Sequence, residues 1–280
     1  MHPDDQDDPR SCLPAWHEFA SARNLPFVVA RNSSDLAMAI DTFKPDVGLV
    51  CGWYRIVNAV LLAKFPLGLW GIHNSLLPRY RGGSPLVWSI IRGDHFVGSS
   101  VFKFDEGVDS GPLLLQVSVE NEPSLNISGV LNRIQNALIE QLPEAWGQLL
   151  QGTASYSIQN EIHATYCGQR IQSDGEIDWR NSAEQIHNFV RAQEYPYPGA
   201  FSYLNGKLLF LSKTGVEPGV YIGTPGQVLR RSADHVIIAC GNDSGLFVKS
   251  VNLDGNQYLA AKILSSIKCR LGPERMSQPT

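Results

Sequence analysis

Apolar positions recur along this chain at two spacings, and the changes of spacing mark its elements. Between residues 14 and 51, PAWHEFASARN and SDLAMAIDTF carry apolar side chains three and four apart, whereas LPFVVA and VGLVC are short apolar runs. The first kind predicts helices and the second strands, an alternation that implies an α/β fold with a parallel sheet. LGLWGI, followed by His73, predicts another strand that runs into the loop SLLPRYRGG. A short helix (PLVWSIIRG), a strand (GSSVFKF), a loop (DEGVDSGP) and a further strand (PLLLQVSV) follow. From Ser128 to Leu150, Val130, Leu131, Ile134, Leu138, Leu142, Ala145 and Leu149 share one face of a predicted long helix, with Pro143 as a point for a kink.

After residue 160 the texture changes. One helix (AEQIHNFVRA) leads through YPYPGAF to closely spaced apolar runs: FSYL, KLLFLS, GQVLRR, HVIIAC and GLFVKSVN. Gly, Asn and Asp separate them, which predicts a small barrel or sandwich. The expected organisation is residues 1–165 as one α/β domain and residues 166–280 as a smaller, OB-like β-barrel domain. A chain of 280 residues is long enough to bury both cores.

Charge narrows the candidate partners. A net charge of -4 and a pI near 6.0 argue against a surface built mainly to hold phosphate backbones. Five cysteines without a CxxC pair indicate neither a disulfide framework nor a zinc site, and His2, His17, His95, His163, His187 and His235 have no metal-like spacing. No apolar run approaches the ~18 residues of a membrane span, and MHPDDQDDPR has no signal-peptide pattern, so the expected location is the cytoplasm, with no membrane partner. The chain contains no GxGxxG, GxxxxGK[ST] or GxSxG segment, which removes the usual support for dinucleotide, P-loop and serine-hydrolase readings.

The segment Gly71-Ile72-His73-Asn74-Ser75-Leu76-Leu77-Pro78-Arg79-Tyr80-Arg81-Gly82-Gly83, with Asp105-Glu106-Gly107-Val108-Asp109-Ser110-Gly111 after it, resembles the signature of the 10-formyltetrahydrofolate-dependent formyltransferases. CGWYRI before it, and ATYCGQR, GEIDW, VRAQEYPYPGAFSY and GQVL after it, resemble the family's successive landmarks, so the likeness runs in order over about residues 12 to 255. It implies a Rossmann-like formyltransferase domain with a parallel-rich sheet, a C-terminal barrel-like domain, and 10-formyltetrahydrofolate as co-substrate with no metal. It also implies that His73 and Asp109 are the catalytic pair.

The chemistry supports that pairing. Attack of an amine on a formamide-like carbon creates a negative oxygen and a cationic nitrogen, so the site must stabilise charge and move a proton. An imidazole suits both tasks at neutral pH, and His73 ends a strand of the sheet, where function gathers in such folds. Taken singly, a strand-end histidine is more often structural, and an Asp in DSG is more often a turn former; only the ordered landmarks raise the functional reading. For the folate, the resemblance points to Ile56, Val57, Ser75, Leu76, Leu77, Pro78, Asp105, Glu106, Gly107 and Val108. Trp53 and Tyr54 suit an apolar slot or a core equally. Arg79 and Arg81 are candidates for substrate phosphate or the folate glutamate tail.

Two positions depart from the family pattern. Gly71 stands where the family has an Asn whose amide polarises the formyl oxygen; strand alternation puts 71 on the face of His73 and Asn74 on the other, so the oxyanion donor is missing. The strand, helix and second strand that open family members also do not fit into the eleven residues before CLPAWHEF, which implies an N-terminally short chain. For the acceptor, the likeness of YPGAFSY to the arabinose-modifying members favours a nucleotide-linked amino sugar. Residues 166–280 hold 12 Lys and Arg against 10 Asp and Glu, a balance of only +2, which makes tRNA the less favoured alternative. A folate- or nucleotide-binding relative without catalysis is the third reading. A homodimer is compatible with all three.

Overall fold

The structure is a computed structural model and describes residues 12–52 and 57–272. In chain order the elements are α1 (Leu13–Ala22), α2 (Ser33–Phe43), β1 (Gly48–Cys51), α3 (Ala59–Leu62), β2 (Leu69–His73), β3 (Arg81–Gly82), α4 (Pro85–Ile91), β4 (Phe96–Lys103), β5 (Leu113–Glu120), α5 (Ile127–Leu150), β6 (Tyr166–Cys167), α6 (Ala183–Arg191), β7 (Ala200–Leu204), β8 (Lys207–Glu217), β9 (Val228–Arg231), β10 (Val236–Ala239), β11 (Gly245–Leu253), β12 (Asn256–Leu259), α7 (Ala260–Ile263) and β13 (Leu271–Gly272). The chain divides into two compact units: residues up to 73 with 100–115 and 142–159, and residues 74–99 with 116–141 and those from 160 onward.

The first sheet has the order β1-β2-β4-β5, parallel between β1 and β2 and antiparallel between β2 and β4. Strand β2 lies inside this sheet, so its sequence LWGIH is buried along almost all its length. Helix α2 starts where the Asn32 side chain accepts the Asp35 N–H at 2.9 Å and stops where Lys44 turns left-handed. Such a cap contributes about 1 kcal/mol. Ile40 from α2, Leu61 from α3 and Phe65 and Leu69 beside them form a local core.

Residues 25–30 form no strand, contrary to the expectation for LPFVVA. A strand exists only through its ladder, Pro26 contributes no N–H, and no described strand flanks the segment, so Leu25, Val28 and Val29 stay exposed. Helix α5 covers the predicted span with Pro143 inside it, and its expected face buries Val130, Ile134, Leu138 and Leu149.

Within the second unit, a seven-stranded antiparallel sheet follows the path β13-β7-β8-β11-β10-β9, with β12 paired to β11. The path curls until its ends meet: Gln227 bridges Arg270, and the Leu271 N–H reaches the Gly226 carbonyl at 2.8 Å. Helix α6 plugs this half-barrel. Ser182 and Gln185 close its start with reciprocal side-chain bonds, and Ile186 and Val190 bury fully against Leu209, Leu211 and Val248. Each such side chain contributes about 1.5–3 kcal/mol by burial. Trp179 donates its indole N–H to Ser202 at 2.9 Å, satisfying the polar edge of a large buried ring.

Candidate active site

His73 ends β2, 9% exposed, with its ring edge-on to Phe102. Its Nδ1 faces Asp109 Oδ2 at 3.6 Å. That distance is longer than a hydrogen bond, and apo sites of this kind commonly tighten on binding. Asp109 reaches this position from the loop between β4 and β5 with a left-handed backbone, φ +51°.

The loop that carries Asp109 is stiff for identifiable reasons. Asp105 Oδ1 accepts the Gly107 N–H at 3.0 Å and the Ser110 hydroxyl at 2.8 Å, which ties the loop's start to its end. A Cβ on Gly111 would lie 1.8 Å from the Lys103 carbonyl oxygen, so only glycine fits there. Gln159, buried, donates its amide to the carbonyls of Asp109 at 2.8 Å and Gly111 at 2.7 Å. Sequence reasoning missed Gln159 because it lies in a polar stretch without periodicity.

The other candidates separate by what holds them. Ile56, with Trp53 and Tyr54, lies outside the described residues; Val57 is half-buried and Val108 exposed. The backbone N–H groups of Glu106 and Val108 meet no acceptor among the described residues. Both flank Gly107 on the exposed part of the loop, beside the Val108 side chain.

Ser75 to Pro78 belong to the second unit and are strongly committed to their own turn. The Ser75 hydroxyl donates to the Arg79 carbonyl at 2.7 Å. The carbonyls of Leu76, Leu77 and Pro78 accept from the Arg79 N–H, the Gln116 amide and the Thr165 N–H.

Arg79 pairs with Asp94 at 2.8 Å, an oxygen it shares with the Tyr80 hydroxyl. Burial, then that bond, push the Tyr80 phenol up to about 12. Arg81 is 1% exposed and makes a two-pronged pair with Glu161 at 2.8 and 2.6 Å plus a 3.1 Å bond to the Tyr166 hydroxyl. The hydrogen bonds from Arg81 hold the Glu161 carboxyl below its ordinary range. Beside it β3 pairs with β6, a two-residue parallel ladder too short to be read from the sequence. Arg81 thus spends its fork inside the protein.

Gly71 is buried on β2 opposite Phe102 of β4. A Cβ at this position would lie 3.1 Å from both Phe102 Cε1 and Phe104 Cζ. The two rings, packed edge to face, occupy the space a side chain at 71 would need. Among the described residues no cluster of His, Cys, Asp and Glu could hold a metal ion, and no helix is long and apolar enough to cross a membrane.

Comparison with known proteins adds to this geometry. Residues 19–146 match the family model described as formyl transferase, and residues 170–267 match that of the formyl transferase C-terminal domain. Methionyl-tRNA formyltransferase of Pelobacter propionicus is 34% identical over 248 residues, which cover 88% of this chain and 76% of that one. The enzyme of the same name from Desulfotalea psychrophila is 32% identical over 224 residues, 80% of this chain and 69% of that one. Among solved structures, WlaRD, described as a sugar 3N-formyl transferase, superposes with a TM-score of 0.65 at 17% identity, covering 87% of this chain and 85% of that one. That likeness concerns the fold.

Proposed function

The chain belongs to the formyltransferase family of one-carbon transferases that draw on 10-formyltetrahydrofolate, and from that premise we propose that it formylates the amine of methionyl-tRNA, with His73 and Asp109 as its acid–base pair. The observation that supports the chemistry is the buried His73 facing Asp109 at 3.6 Å on a loop held from three directions. The donor supplies the formyl carbon. His73 takes the proton that the attacking amine sheds as its bond to that carbon forms, then returns it to the folate nitrogen as the old carbon–nitrogen bond breaks and its electron pair leaves with that nitrogen. Asp109 orients the imidazole and stabilises its cationic form. The exposed edge from Glu106 to Val108, with Val57, receives the pterin. Arg79, Arg81 and Ser75 to Pro78 act by shaping the turn after His73. In this reading residues 1–165 carry the chemistry and residues 166–280 contribute to holding the acceptor.

The relatives at 32–34% identity support methionyl-tRNA as acceptor over the amino sugar that the sequence favoured. The charge argument behind the sugar is weak: a balance of +2 over residues 166–280 counts charges without their positions. The second reading, a nucleotide-linked amino sugar, rests on that balance and on the fold shared with sugar enzymes. Purified protein with 10-formyltetrahydrofolate and either methionyl-tRNA or a set of nucleotide-linked amino sugars separates them by tetrahydrofolate release. Turnover confined to the sugar lanes overturns the proposed acceptor; turnover in none overturns the proposed chemistry.

A further inference from the structure

An open cavity of about 1190 Å³ lies within the second unit, and neither His73 nor Asp109 lines it. Its inner surface is formed by α6, the segment 120–126 and strands β8 and β11. Two polar side chains of α6 line it while almost fully buried: Arg191 at 3% exposure and Asn188 at 8%.

Arg191 Nε donates to Asn188 Oδ1 at 2.8 Å, and Nη1 donates to Asn121 Oδ1 at 2.9 Å and to the carbonyls of Leu125 and Glu122 at 3.0 and 3.3 Å. Among the described residues Nη2 meets no acceptor, and no carboxylate stands within ion-pair distance. The bond from Nε commits Asn188 Oδ1 and leaves the amide nitrogen Nδ2 for other partners. This nitrogen also meets no described acceptor, and it points toward Gly93, where a Cβ would sit 3.0 Å away and glycine leaves room. The adjacent His187 ring is fully used: Nε2 donates to the Pro123 carbonyl and Nδ1 accepts from the Thr214 hydroxyl, both at 2.9 Å.

A guanidinium without a counter-charge is costly to bury, and its fork matches an oxyanion. Burial pushes Arg191 down to about 10, the direction expected of a cation that lacks a partner. The carboxylates around the cavity do not supply one. Glu194 is occupied by the Asn126 amide and the Lys213 N–H, and Asp94 by Arg79 and Tyr80. Glu120 and Glu184 are exposed and disfavour a polyanion, while Lys213 and Lys249 line the same cavity.

We propose that this cavity binds one compact oxyanion, a phosphate or carboxylate group of a small molecule, seated on Arg191 Nη2 and Asn188 Nδ2. The assignment stands independently of the formyl-transfer reading, because none of its residues takes part in that chemistry.

The test is calorimetric titration of the full chain with inorganic phosphate, acetate and chloride at constant ionic strength. The expected result is saturable one-to-one binding of phosphate or acetate but not chloride, the tighter of the two identifying the ligand group. Arg191 also holds residues 121–125 together, so the primary variant is Asn188→Asp, which keeps the acceptor for Arg191 Nε and places a carboxylate against the guanidinium. It should weaken anion binding at least 10-fold while the melting temperature stays level or rises. Binding no stronger than chloride, or undiminished in a folded Asn188→Asp protein, overturns the proposal and leaves a water-filled cavity.

Discussion

The side-chain amide of Gln159 holds the Asp109 carbonyl at 2.8 Å. The aspartate's alignment with His73 is therefore set partly by a residue fifty positions further along the chain. With Gly111 also bound, Gln159 fixes the backbone on both sides of Ser110. Gln159→Glu removes the donor at nearly constant shape and should lower kcat about 10-fold, within the range of positioning effects. A merely structural role would leave the pH profile of kcat in place, whereas misalignment of the pair should displace its acid limb. An unchanged kcat and profile in a folded variant excludes the positioning role.

His73→Ala and Asp109→Ala should each reduce formyl transfer by roughly 10²-fold or more, the usual scale of acid–base catalysis. The double variant should be little worse than either, because the two act as one unit. Single-turnover assays with the donor in excess read the chemical step directly, and near-normal rates in both single variants would refute the assignment.

Gly71→Asn is a steric problem before it is a chemical one. The side chain must displace Phe102 or Phe104, and overpacking of this kind costs about 1–3 kcal/mol. The single substitution should lower both the melting temperature and the turnover. Adding Phe104→Leu makes room, and if a donor at position 71 assists the oxyanion, the double variant should exceed Phe104→Leu alone in kcat. Equal kcat values in those two would show that this site does not lack a donor at 71.

His187 gives the stability curve a definite sign. Burial holds its pKa below the ordinary 6.5, so the unfolded chain binds the proton first as pH falls. The stability it protects is complete above about pH 6.5 and is lost as the pH falls through its lower folded value. Chemical denaturation between pH 7.5 and 5 should show this loss, and His187→Gln should flatten that part of the curve. A wild-type curve that rises on acidification would contradict the neutral ring.

Arg81 and Glu161 test what the turn after His73 requires. Arg81→Lys keeps the charge but loses the fork that spans both Glu161 oxygens, so the melting temperature should fall. Its effect on kcat should exceed that on KM for the donor, since the fork points into the protein. A higher KM with unaltered kcat would return Arg81 to the role of a substrate ligand.

Elements whose burial pattern is local were legible in the sequence. Helices α2, α5 and α6 and strands β2, β8 and β11 follow from apolar spacing, because each presents one continuous face to a core. LPFVVA failed because a strand is a property of two segments, and apolar spacing in one says nothing about whether a partner lies beside it. The β3–β6 ladder was invisible for the same reason. At the candidate site, His73 and Asp109 could be named from ordered landmarks, whereas Gln159 and Glu161 could not, since each acts through a bond across a long sequence separation. Arg81 could be named as a candidate ligand, but a loop arginine carries no mark in the sequence of the Glu161 carboxylate with which it pairs.

The seam of the half-barrel is made by Gly226 and Gln227 meeting residues 270 and 271. During synthesis, every strand from β7 to β12 leaves the ribosome before the segment that joins the two ends of the sheet. At about 5–20 residues per second, the nascent chain passes several seconds with β9 an open edge, and Val228 and the apolar interior behind it gain cover last. Chaperone capture should therefore be most frequent in that interval. A stop codon just before residue 270 would make the interval permanent, turning a protein that closes on itself into one that presents a strand edge to its neighbours.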